Sequence, residues 1–205
     1  AGCSNYFSDV SIIVPADNFF SAFDIFTDVV NNPTFPEKEF EKEKTRTIAA
    51  IKSKSDRIFD VAYDEFNELI FKNHPYHKPV EGYKITVFPL TTSQISDNYR
   101  KHFNTTNMVL CVTGDVDFET TKKLVEKYFG NIKIIGTTEK TKQQQLKQLK
   151  IELPKQSKKI YTGKFQQSYI FSGFLAPDIN QKEYVILKVV NCVLGGGIGS
   201  RLFDV

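Results

Sequence analysis

The chain has 205 residues, 40% of them hydrophobic and 25% charged, with 27 basic against 24 acidic side chains and a net charge of +3. That balance gives no footing for nucleic acid or an anionic membrane as a partner. No run approaches the ~18 apolar residues that a membrane span needs. The three cysteines, Cys3, Cys111 and Cys192, are odd in number, lie far apart and form no CxxC. They therefore read as small buried hydrophobes, not as a disulfide framework or a Cys-ligated zinc site. With 18 Phe and no Trp, the expected core is built from Phe. The start at Ala1-Gly2-Cys3 lacks Met, and Ser200 to Val205 looks like the opening of another element. Both features lead us to expect a piece of a longer protein, and the compartment stays open.

In chain order, Val10-Ser11-Ile12-Ile13-Val14 is β-branched and closed by Pro15, which predicts a strand. Phe19, Ala22, Phe23, Phe26, Val29 and Val30 then recur at helical spacing, with Asp17 as the expected N-cap and Asn31-Asn32-Pro33 as the stop. Thr34-Phe35-Pro36-Glu37 matches a capping box, in which the Thr hydroxyl and the Glu carboxylate satisfy each other's backbone amides. The helix that follows includes FEKEKTRTIAAIKSK, Phe40 to Lys54, with Phe40, Thr47, Ile48 and Ile51 inward. Glu43 and Ala50 are seven residues apart, so both leave one stripe, beside that core face. A further helix runs from about Arg57 to Lys72, and the prolines of Asn73 to Pro79 predict a loop.

Thr91-Thr92-Ser93-Gln94 is a second capping box, opening a helix with Ile95, Tyr99 and His102 or Phe103 on one side. Met108 to Thr113 reads as a buried strand, and Asp117 caps a helix ending at Gly130, where left-handed geometry favours glycine. Thr137 to Lys150 is poor in apolar residues and rich in Lys, Gln and Thr, so a linker is expected there. Two short strands, Lys159 to Tyr161 and Ser168 to Phe174, and a helix over residues 181–194 complete the reading. The expected class is α+β, helices packed on one side of a mostly antiparallel sheet. The expected units are residues 1–136, a linker at 137–150, and 151–205.

The chemistry-bearing patterns are weak. His74 and His77 bracket HPYH, a spacing that can ligate zinc from a helix, but Pro75 argues for a turn with solvent-facing imidazoles. His102 is isolated and reads as structural. Gly195-Gly196-Gly197-Ile198-Gly199-Ser200-Arg201 follows a helix, whereas a phosphate cradle places its glycines between a strand and a helix, so a loop is the reading. No GxSxG, HxxEH or HExxH occurs.

Several stretches together resemble the pitrilysin, insulinase and mitochondrial-processing-peptidase family of zinc peptidases. They are Asp28-Val29-Val30-Asn31-Asn32-Pro33-Thr34-Phe35, Phe40-Glu41-Lys42-Glu43-Lys44, Phe71 to Tyr76 followed by Gly82, Tyr99 to Val116, and Leu194 to Phe203. They resemble the family's "D-x-x-x-N-P-x-F" corner, "F-E-R-E-K" helix, "F-x-x-H-P-Y…G" loop, "Y…N…V-x-G-D-V" segment and "L-G-G-G-x-x-S-R-L-F" turn. They fall in the family's order over nearly the whole chain.

The resemblance implies a zinc chemistry of which this chain carries one damaged part. In such peptidases HxxEH supplies two imidazoles and a glutamate base, and a later glutamate completes three protein ligands, leaving a position for the attacking water. The HxxEH helix would precede Ala1. Laid on "F-E-R-E-K-x-x-x-x-x-E-I", Glu43 takes the supporting glutamate's place, Ile51 the isoleucine's, and Ala50 the metal ligand's. A methyl group cannot hold zinc. The family's substrate-pairing Asn-Ala strand has only Cys3, Ser4 and Asn5 to match it, and its substrate-contacting Arg and Tyr would lie just past Val205. The implied function is a non-catalytic peptidase-like domain. It would have no cofactor of its own and would pair with a homologous zinc-bearing domain to enclose a peptide substrate. Two alternatives stay open: an active zinc endopeptidase using Glu41 or Glu43 as third ligand, and a purely structural relative.

Overall fold

Gly2–Cys3 (β1) and Ser8–Asp9 (β2) pair antiparallel, Gly2 opposite Asp9 and Cys3 opposite Ser8, around the four-residue turn Ser4 to Phe7. A Cβ at Gly2 would stand 2.6 Å from Asp9 Oδ1, so a larger residue there would turn the exposed Asp9 side chain aside. The computed structural model describes residues 1–72, 74–105, 107–130 and 157–203. Among these this hairpin is the whole of the β-structure, and the other regular elements are helices. The expected sheet covered by helices is thus represented only by a small antiparallel pair. Residues 10–14, 108–113, 159–161 and 168–174 form no strand with another described segment. A β-branched run becomes a strand only when a neighbour accepts its ladder bonds, and sequence alone does not supply the neighbour.

The chain divides into two compact units, residues 1–169 and 170–205. In the first, a 3₁₀ turn, Ala16–Asn18, leads into helix α1, Phe19–Asn31. Asp17 lies inside that turn and is not the cap. The Pro15 carbonyl accepts from the Asn18 amide at 3.0 Å, which turns the chain early and moves the helix start onward. Helix α1 packs its Phe stripe against the later helix Phe118–Phe129. Phe23, Val30 and Phe129 are 5, 6 and 8% exposed, with Phe19, Phe26, Leu124, Val125 and Tyr128 around them. The core is Phe-rich, as the composition predicts. Burying one such side chain contributes about 1.5–3 kcal/mol.

Helix α1 ends where the Asn32 amide bonds the Asp28 carbonyl at 2.8 Å, and the Asn32 side chain donates to Asp28 Oδ1 at 2.8 Å. That closure is the physical content of the D-x-x-x-N-P corner. Phe35 then takes φ 46°, left-handed for a residue with a Cβ, with its ring against Tyr99 at 5.5 Å. Helix α2, Glu37–Lys54, begins with Pro36 in the cap position, so the Thr34 capping box does not form. The turn at Phe35 carries Thr34 out of reach, and Glu37 instead accepts from the Thr92 hydroxyl at 2.6 Å.

Helix α3 spans Ile58–Ile70 and leads to a second 3₁₀ turn, Pro75–His77. Gly82 at φ 76° bends the chain into a short helix α4, Lys84–Val87, that sequence did not announce. Helix α5, Thr92–His102, opens on the Thr91–Gln94 capping box as expected, with the Thr91 amide donating to Gln94 Oε1 at 3.0 Å. Its Tyr99 hydroxyl donates to the Val30 carbonyl at 2.6 Å, tying α5 to α1. Helix α6, Phe118–Phe129, is capped by Asp117, which accepts from the Thr120 amide at 2.7 Å. That bond holds the Asp117 carboxyl below its ordinary range. Gly130 is right-handed (φ −63°), because its amide still bonds the Glu126 carbonyl.

The second unit holds helix α7, Glu183–Gly195. The backbone folds back over its end, and the amides of Arg201 and Leu202 satisfy the Val193 and Leu194 carbonyls. The linker expected at 137–150 lies outside the described residues. Cys3, Cys111 and Cys192 are free, as expected, but exposed and not buried. Each sits on a segment that no described element covers, and apolar character alone does not bring a residue inside.

Candidate functional site

Helix α2 carries most of the residues that the sequence singled out. Phe40, Lys44, Thr47, Ile48, Ile51 and Lys54 form its half-buried stripe, and no residue of the helix is fully buried. Charge, more than apolar area, ties this stripe down. Lys44 Nζ donates to the Leu90 carbonyl at 3.2 Å and lies over the Phe40 ring. Lys54 Nζ sits 2.9 Å from Asp64 and 3.4 Å from Glu81. Burial alone would pull the Lys54 ammonium down. The two carboxylates outweigh it and raise it above its ordinary value.

The flank of α2 beside this stripe faces water. Glu43 and Ala50 both lie there and both are exposed. Glu43 is 3.6 Å from Arg46, and Glu41 and Glu39 are paired in the same i, i+3 fashion with Lys44 and Lys42. Every acidic residue of the FEKEK stretch is thus matched to a cation of its own helix. Among the described residues no group of three His, Cys, Asp or Glu could hold a metal ion.

The weaker candidates lie on the hairpin. Ser4 organises its turn: its amide donates to the Phe7 carbonyl at 2.8 Å, and its hydroxyl accepts from the Phe7 amide at 3.1 Å. Cys3 accepts from the Ser8 hydroxyl at 3.4 Å. Asn5 reaches away from the hairpin and donates to the carbonyls of Pro75 and Lys78, at 3.4 and 3.2 Å. The hairpin is thereby joined to the HPYH turn. No described hydrogen bond, ion pair or ring contact joins it to Glu43 or Ala50.

The sequence reading missed one group. HPYH is a turn, as its proline predicts, but His74 does not merely face solvent. It is half-buried among Tyr6, Phe71 and Tyr76, with ring centroids 5.9, 6.0 and 4.8 Å away, and its Nε2 lies 2.9 Å from the Tyr6 hydroxyl. Burial, with the nearby His77, holds its pKa below the ordinary value. Burial and the Tyr76 side chain push the Tyr6 hydroxyl up to about 12. The signal in the sequence was the aromatic residue on each side of the histidine, which periodicity does not weigh.

The family model described as "Peptidase M16 inactive domain" matches residues 89–205, more than half of the chain. The chain belongs to this family. It is 27% identical over 192 residues to an uncharacterized zinc protease of Rickettsia felis, covering 93% of this chain and 44% of that protein. It is 25% identical over 183 residues to the uncharacterized zinc protease YmxG of Bacillus subtilis, covering 89% and 42%. The chain therefore spans less than half the length of these relatives. Its fold is shared with the crystal structure of a peptidase M16 inactive domain from Pseudomonas fluorescens, with TM-score 0.66, 20% identity, 92% of this chain and 44% of that one. It is shared likewise with a protease from Helicobacter pylori, with TM-score 0.69, 18% identity, 93% and 46%.

Proposed function

We propose that this chain is a non-catalytic part of an M16-type peptidase, pairing with a homologous zinc-bearing domain to enclose an extended peptide. The observation that carries the reading is Ala50. It offers a methyl group to solvent where the family pattern calls for a metal-binding carboxylate, and Glu43, in the supporting position, spends its charge on Arg46. Membership in a family described as an inactive domain supports the same reading. Zinc, on this view, belongs to the partner domain. The family layout of helices over one side of a mostly antiparallel sheet would be completed by the whole protein, with a subdomain boundary in 137–150. Cys3, Ser4 and Asn5 would form the edge nearest the peptide backbone, where a strand can add by main-chain bonds.

A second reading is an active zinc endopeptidase in which Glu41 or Glu43 is the third ligand. The relatives' description as zinc proteases favours it. The pairing of both carboxylates with cations opposes it. Elemental analysis of the full-length protein separates the two. Zinc should be absent from a protein built of this domain alone, and should appear one per catalytic domain when an HxxEH-bearing homologue is added. Zinc held at one equivalent, and lost on Glu43→Gln, would overturn the non-catalytic reading. A mixture that cleaves peptide no faster than the homologue alone would overturn the pairing.

A further inference from the structure

The hairpin β1–β2 has two residues in each strand, too few to hold a position unaided. Its turn is fixed from outside, and the bonds described for it converge on one place. Asn5 donates to the carbonyls of Pro75 and Lys78, Tyr6 bonds His74 Nε2, and the Tyr6 ring sets its edge on Tyr76 at 4.7 Å. All four anchoring residues belong to the 3₁₀ turn Pro75–His77 or flank it.

That turn in turn depends on His74. The Tyr76 amide donates to His74 Nδ1 at 3.3 Å, and His77 Nδ1 lies 2.6 Å from the His74 carbonyl. A backbone amide is always a donor, so Nδ1 must be the bare nitrogen. The neutral ring therefore carries its proton on Nε2 and donates it to the Tyr6 oxygen. One imidazole thus performs two tasks with opposite nitrogens: it caps the turn and grips the hairpin.

We propose that His74 is a proton-sensitive latch, holding the Ser4 to Phe7 turn against the HPYH turn when neutral and releasing it when protonated. The proposal rests on the reading of Cys3, Ser4 and Asn5 as the peptide-facing edge for its consequence, though not for the latch itself. A proton added to Nδ1 sets one N–H against another, and the Tyr76 amide loses its acceptor. Nε2–H still donates to Tyr6, so the release runs through the turn, whose Pro75 and Lys78 carbonyls and Tyr76 ring hold Asn5 and Tyr6 only while it keeps its shape. The groups facing His74 do not offset the new charge. The hairpin presents the Tyr6 hydroxyl, the end of α3 the ring of its C-cap Phe71, and the turn itself Tyr76 and His77. The carboxylate nearest in kind, Glu68 of α3, faces His77 and is held by Lys159 at 2.8 Å. Because folding favours the neutral ring, the folded state binds fewer protons than the unfolded chain. The latch is therefore complete above the ordinary His value of about 6.5, and is lost as pH falls through the lower folded value.

Amide hydrogen exchange on the full-length protein, corrected for intrinsic rates, reads the latch directly. Between about pH 7.5 and pH 5, protection over residues 1–9 should fall by about tenfold or more. His74→Gln keeps a neutral donor within reach of Tyr6 and should abolish that pH response. His74→Asn keeps an acceptor for the Tyr76 amide, so it should preserve protection at residues 74–78 while residues 1–9 exchange freely at every pH. His77→Gln should leave the response in place, which assigns it to His74. A wild-type hairpin with constant protection, or a response that survives in His74→Gln, would overturn the latch. If the variants do not fold, ¹⁵N spectra of the wild-type imidazoles decide, and a neutral His74 protonated on Nδ1 overturns it. Binding of a fluorescein-labelled, unstructured ten-residue peptide, measured at both pH values, tests the edge separately. Exchange that responds while peptide affinity does not overturns the peptide-edge reading and supports the latch alone.

Discussion

Helices α1 and α2 lie next to each other in sequence and are stabilised by different physics. Helix α1 sends Phe23, Thr27 and Val30 into the interior and closes on α6 through apolar area. Helix α2 buries no residue completely and is fastened by its Glu37, Lys44 and Lys54 bonds. The contrast separates residues kept for the fold from residues free to serve a site. A helix that contributes little core can change its outer face without unfolding the domain, and Ala50 and Glu43 are on such a face. On the proposed reading, a methyl group in place of a carboxylate at Ala50 is a change that the fold tolerates.

The sharpest test of that division is Phe23→Ala, which opens a cavity at the α1–α6 contact. A loss of about 3–5 kcal/mol is expected, read from the urea midpoint at unchanged slope. A loss below about 1 kcal/mol would mean that α1 is not the core helix. A smaller effect is expected at the caps. Thr91→Ala removes the hydroxyl half of a formed capping box, the acceptor of the Gln94 amide, and should cost about 1 kcal/mol. Thr34→Ala, at the box that the sequence announces and the structure leaves unformed, should cost no more than a few tenths of a kcal/mol. Equal losses at the two threonines would show that Thr34 caps α2 after all.

That pair of threonines also shows what the sequence could and could not convey. Both sit three residues before a Glu or Gln, and nothing local distinguishes them. Phe35 does, by turning left-handed against the Tyr99 ring 64 residues on, and that contact is invisible to any window. Helix existence was legible because periodicity reports a face: α1, α2, α3, α5, α6 and α7 all stand close to where spacing put them. The strands were not, because a ladder needs a second segment that the pattern does not name. The site divides similarly. Ala50 and Glu43 were singled out by resemblance to a motif, while the His74 cluster leaves only Phe71 and Tyr76 as a local trace and draws Tyr6 from 68 residues away.

The smallest expected effect is the most informative about function. Ala50→Glu restores the carboxylate where the family pattern places its metal ligand. The change is on an exposed helical face, with Arg46 and Lys54 one turn to either side, so stability should move by no more than about 0.5 kcal/mol. Zinc binding by the chain alone should stay below stoichiometric, and peptide hydrolysis should not appear. One carboxylate cannot make a three-ligand site when no described His, Cys, Asp or Glu cluster stands beside it. A variant that binds one zinc tightly and hydrolyses peptide would show that the remaining ligands are already present in these residues, and would overturn the proposed non-catalytic role of α2.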